Sequence, residues 1–138
     1  MYSQTMFNPF TKKQRQKNFI LELWNEMNVN LERFYVISQR QFIASAFNLD
    51  AWEEAVAFSG FVFPQEVHKY AEVLADFNCA FVEVRTFEEF YSSSIDNKTR
   101  VNAELLHARQ ERLEEKVTAI QDSILGAQKI VRSMLDKK

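Results

Sequence analysis

The sequence predicts an all-α protein: an antiparallel helical bundle with two long helices, one short helix and a coiled-coil-like stalk. Three observations carry this. Leu113, Val117, Ile120, Ile124, Ala127, Val131 and Met134 recur at alternating steps of four and three, the apolar seam of three successive heptads. Ile20, Trp24, Met27, Leu31 and Phe34 repeat the same spacing near the other end of the chain. Only two Gly and two Pro occur in 138 residues, too few for the many tight turns of a sheet protein.

Residues 1–10 lack periodicity and read as a flexible arm, leaving residues 11–138 as one helical domain. Thr11 and Gln14 have the form of a capping box, which opens a first helix from about Lys12 to Phe47. Its apolar face rotates in the second half, to Tyr35, Phe42, Ile43, Ala46 and Phe47, as expected of a helix that changes neighbours. Asp50 and Glu53 form a second capping box, opening a short helix through Trp52, Val56 and Phe58. Gly60 suits the left-handed position just past a helix end, and Pro64 suits the start of the next helix. Between them, Phe61 and Phe63 should tuck against the bundle end, because an exposed Phe-Val-Phe run is an aggregation-prone patch.

The third helix runs from about Pro64 to Tyr91, with Val67, Ala71, Leu74, Phe77, Phe81 and Val84 inward. Ser92–Asn97 is a polar loop in which Asp96 or Asn97 can cap a fourth helix reaching about Lys137. At about 1.5 Å per residue, the first and fourth helices would span roughly 55 and 60 Å. Side by side, their regular halves would form the stalk, and the aromatic halves would meet helices two and three in a thick head. Helices two and three could instead form one broken rod in a three-helix bundle.

Composition excludes several functions. Glycine-rich phosphate loops and dinucleotide fingerprints need more glycines than are present. The single Cys79 allows no internal disulfide and no cysteine zinc site. No apolar run approaches the length of a membrane span, and Met1–Lys13 lacks a secretory core, so a cytoplasmic protein is expected. The net charge of −2 is segregated: +3 over residues 1–49, −7 over 50–89 and +2 over 90–138. The acidic middle argues against nucleic acid as a partner.

Glu104 and His107 have the Glu-x-x-His spacing of di-iron bundles, but no second copy of the motif exists. The other histidine, His68, stands at the wrong spacing beside Glu66, and both motif residues project away from the seam. No metal or cofactor is expected. Glu72, Asp76 and Glu83 share a face with Cys79 and would raise its thiol pKa, the wrong direction for a nucleophile; a small buried or interfacial side chain is expected there. Arg85 and Glu88, with Asn78, fall on the core side of the third helix, and Asn102 and Arg109 near the seam side of the fourth. Arg85, Glu88 and Asn102 thus form a candidate inward polar cluster, either an ion pair near the bundle end or a small polar ligand site. Lys12, Lys13, Arg15 and Lys17 crowd a helix start, where the dipole favours acids. An anionic surface or acidic partner would suit them, with Phe7, Pro9 and Phe10 as an apolar anchor.

No nucleophile, base and orienting group can be assembled from these residues, so catalysis is not expected. The seam should need a partner, with Leu113, Val117, Ile120, Ile124, Val131 and Met134 as the candidate interface of a homodimer or higher homo-oligomer. The expected function is a non-catalytic interaction or scaffold module. The alternative is a binding protein for an apolar or lipid-like molecule in the aromatic head.

Overall fold

A computed structural model describes residues 12–40 and 46–137; the expected arm, residues 1–10, lies outside the described residues. The chain is all-helical, with helix at 87% and no strand among the described residues. The elements are α1 (Lys12–Arg40), α2 (Asp50–Phe58), α3 (Gln65–Ser93), a 3-10 turn (Ile95–Asn97), α4 (Arg100–Val117) and α5 (Ile120–Asp136). α3 packs along both α4 and α5, α5 also lies on α1, and α2 lies on α1.

The core is built at helical spacing. Ile20, Leu23, Met27, Phe34 and Ile37 of α1 meet Val67, Tyr70, Leu74, Phe77 and Val84 of α3, with Leu113, Ile120, Ile124, Ala127 and Val131 completing the cluster. The buried stripe of α1 is wider than the expected seam: Leu23, Asn30 and Ile37 are buried, whereas Trp24 and Leu31 are only partly covered. A helix touched by both α2 and α5 needs a wider apolar stripe than a two-stranded coil does.

The segment around 113–134 is therefore not a thin stalk, because its seam is enclosed by α1 and α3. The thinner part of the chain is the far half of α3 with α4, which packs mainly on α3. The expected fourth helix is also divided. The Thr118 hydroxyl and amide both donate to the Glu115 carbonyl, at 2.9 and 3.4 Å, tightening the turn before α5 starts.

Other boundaries have local causes. The first helix does not reach Phe47: Ala46–Leu49 is non-helical, and Phe42 and Ile43 lie outside the described residues. Gly60 takes the left-handed conformation expected after α2, with φ of 76°. Pro64 stands immediately before α3. At the α3–α4 junction the Asn97 side chain closes α3, donating to the Phe90 carbonyl at 2.9 Å and the Ser93 hydroxyl at 3.0 Å. The cap of α4 is Thr99, whose hydroxyl accepts from the Asn102 amide at 3.0 Å, in place of the expected Asp96 or Asn97.

Candidate interaction surfaces

The most constrained polar group in the chain surrounds residues 46–52. Asn30, fully buried, donates to the Asn48 carbonyl at 2.7 Å and to the Tyr70 hydroxyl at 2.9 Å, and accepts from the Asn48 amide at 3.1 Å. Asn78 treats Phe47 alike, accepting from its amide at 2.8 Å and donating to its carbonyl at 2.9 Å. Arg33 donates to the Ala46 carbonyl at 2.6 Å. These bonds replace helical ones, which is how this segment stays non-helical in a helix-rich chain.

The start of α2 is capped from outside rather than by Asp50 and Glu53. The Asn48 side chain accepts from the Asp50 amide at 2.9 Å, and the Glu26 carboxylate accepts from Ala51 and Trp52 at 2.9 and 3.1 Å. With the Glu53 amide bonded to the Leu49 carbonyl, the first turn is satisfied. Burial raises the Glu26 pKa above its ordinary 4.5, against the two amide bonds that lower it, and Asp50 and Glu53 add to the rise. Burial also pushes the Tyr70 hydroxyl well above its ordinary range. Sequence reading singled out Asn78 but missed Glu26 and Asn30. The signal for Asn30 was its place in the spacing of Leu23, Met27, Phe34 and Ile37, a polar residue on the buried stripe of α1. Glu26, Asn30, Tyr70 and Asn78 line neither of the two clefts described below, so this network is architecture rather than a reaction centre.

The residues with catalytic or metal-binding potential are dispersed. Glu104 pairs with Arg100 at 3.3 Å and His107 with Glu111 at 2.6 Å, all on exposed surface. Among the described residues no group of three His, Cys, Asp or Glu could hold a metal. His68 stands edge-on to Trp52 at 5.1 Å. Cys79 is free and exposed, not buried as expected. No described helix is long and apolar enough to cross a membrane.

Leu113, Ile120, Ile124 and Val131 are buried within the single chain, and Val117 and Met134 are partly covered. The seam read as an interface is thus intrachain core, because α1 and α3 both reach it. The inward polar cluster is split. Arg85, set over the Phe81 ring at 5.6 Å, and Glu88 border one cleft of about 660 Å³ with Ile37, Val84, Leu113 and Val117. Asn102 instead serves the turn before α4, donating to the Asn97 carbonyl at 2.7 Å. Arg109, half-buried, does face α3, where it covers the Phe87 ring at 4.5 Å.

Two surfaces remain notably apolar. On the α3–α4 pair, Phe90, Val101 and Leu105 are 47%, 64% and 43% exposed. The Arg109–Phe87 contact and the Arg112–Glu83 ion pair, at 3.7 Å, set the register that brings Leu105 near Phe90. At the opposite end, Phe63 is buried against Trp52 as expected, but Phe61 stays 39% exposed and Val62 94%. These two border an open groove of about 580 Å³ between α1, the α2–α3 connector and α5. Both connector rings are thus mostly covered, as expected, Phe61 less fully than Phe63, while Val62 between them projects into solvent.

No family model matches the chain, and no characterised protein or solved structure is similar to it.

Proposed function

We propose that this chain is a non-catalytic interaction module that self-associates through the α3–α4 pair. The observation that carries the reading is the exposure of Phe90, Val101 and Leu105, on the part of α3 and α4 where the two helices pack mainly on each other. Two such helical hairpins packed face to face would make a four-helix arrangement around these side chains. A second copy is favoured as the occupant because the flank carries both charge signs, Glu83 and Glu104 beside Arg100, Arg109 and Arg112, and so is self-complementary about a twofold axis.

Within each chain the proposed arrangement is an antiparallel bundle with coiled-coil-like packing of α5. In support, Gln121 donates to the Tyr35 hydroxyl at 3.2 Å and Gln128 to Asn28 at 2.8 Å, so rising numbers on α1 meet falling numbers on α5. The free Cys79 is in keeping with a reducing cytoplasm.

Hydrogen exchange at low and high protein concentration tests the proposal. Amides across 88–106 should gain protection with concentration, while those of the buried seam should not change. Equal exchange at both concentrations would contradict it.

A second reading is a binding protein for an apolar or lipid-like molecule. The aromatic head does not favour it, since Phe47 packs edge-on to Phe77 at 5.1 Å and Trp52 on Phe63 at 5.2 Å, ring against ring. The open groove beside Val62 does favour it: Ile20, Ile130 and Met134 line it, and lysines rim it.

A further inference from the structure

We infer that the end of the bundle formed by the start of α1, the α2–α3 connector and the end of α5 is a docking surface for an anionic lipid bilayer. The inference rests on the second reading above and names its ligand class.

The groove at this end has an apolar floor of Ile20, Ile130 and Met134 with Val62 at its edge, and Lys13, Lys17, Lys129 and Lys137 line it as well. All four lysines are exposed, as are the nearby Lys12, Arg15 and Arg132. Over residues 12–20, 59–66 and 129–137 these seven cations face only Glu66 and Asp136, although the whole chain carries a net charge of −2. Positive charge is therefore concentrated at this end of a chain that is acidic as a whole. The sign at the start of α1 opposes the helix dipole, so the cluster is maintained against local electrostatics.

Apolar exposure is concentrated at the same end. Val62 is 94% exposed and Phe58, its ring tilted against Phe19 at 6.2 Å, is 70% exposed. Gly60 fixes how the connector projects: its φ of 76° turns the chain, and a side chain there would press on Gln16 of α1 at 3.0 Å. Phe58 and Val62 thus bracket a turn held against the lysine-bearing helix.

Cations around protruding apolar side chains match the two layers of an anionic interface, phosphate outside and acyl chain within. A second copy would bring lysines against lysines. Residues 1–11, which lead directly into Lys12, contain no acid to meet the rim. A peptide confined to the groove would leave Phe58 uncovered. A bilayer surface meets the lysines, Val62 and Phe58 together.

Co-sedimentation of the full chain with vesicles tests this, using phosphatidylcholine alone and phosphatidylcholine mixed with phosphatidylglycerol. The chain should bind the anionic vesicles and not the neutral ones, and about 1 M salt should remove most of the binding. Lys13→Glu with Lys17→Glu should weaken binding by about tenfold or more. Val62→Asp, at a position too exposed to affect folding, should do likewise, whereas Val101→Asp on the α3–α4 pair should bind as wild type. Failure to bind anionic vesicles, equal binding to neutral ones, or unaltered binding of Val62→Asp overturns the inference. Dodecanoate retained in native mass spectrometry without vesicle binding also overturns it, while leaving the ligand-binding reading intact; absence of both removes the two together.

Discussion

Asn30 of α1 and Asn78 of α3 grip adjacent residues of one non-helical segment, each bonding both the amide and the carbonyl of its target, Asn48 and Phe47. The pair ties α1 to α3 through backbone groups that would otherwise be buried without partners. It also fixes where α2 begins, since Asn48 and Glu26 supply its first amides with acceptors.

Asn30→Ala removes three bonds from a fully buried position and leaves the Tyr70 hydroxyl and both Asn48 backbone groups short of partners. It should lower unfolding free energy by about 2–4 kcal/mol in urea titration. A loss under about 0.5 kcal/mol would show that water replaces the amide, and that the bracket does not organise the segment.

Glu26 gives the fold a pH signature. Its folded pKa is raised above 4.5 chiefly by burial, so the folded state holds this proton to higher pH than the unfolded state. Stability from this group is complete below about 4.5 and falls as pH rises through the folded pKa. The stability difference between wild type and Glu26→Gln should therefore shrink or turn against wild type across that window, then level off above it. A difference independent of pH would contradict the assignment.

The two glycines should respond in opposite directions. At Gly126, inside α5, an added methyl meets nothing within 4 Å, so Gly126→Ala should stabilise by about 0.5–1 kcal/mol. At Gly60, with φ of 76° and Gln16 at 3.0 Å, Gly60→Ala should destabilise by about 1 kcal/mol or more. Thermal melts that move together would refute the reading of one or the other.

Much of the helical layout was legible because apolar periodicity and punctuation agree. The seam of α5, the α2 stop at Gly60 and the α3 start after Pro64 all follow from local chemistry. Boundaries set by distant groups were not legible. Phe47 and Asn48 carry no local signal against helix; they are held out of it by Asn78 and Asn30, 31 and 18 positions away. Nor could periodicity say which neighbours fill a seam. The pattern from Leu113 to Met134 suits a partner chain as well as it suits α1 and α3, and only the long reach of α3 decides for the latter. The exposure of Val62 between two mostly covered rings was not legible, because an apolar connector resembles a buried one in sequence.

The central claim, self-association through the α3–α4 pair, is tested most directly by sedimentation equilibrium of wild type, Leu105→Lys and Ile124→Lys, each with its helix content measured alongside. Leu105 is 43% exposed and Ile124 fully buried. Wild type should therefore sediment as a dimer and Leu105→Lys as a monomer with unchanged helix content, while Ile124→Lys loses helix through its buried charge. A wild type that stays monomeric at high micromolar concentration, or a Leu105→Lys variant that dimerises as wild type does, would contradict the account.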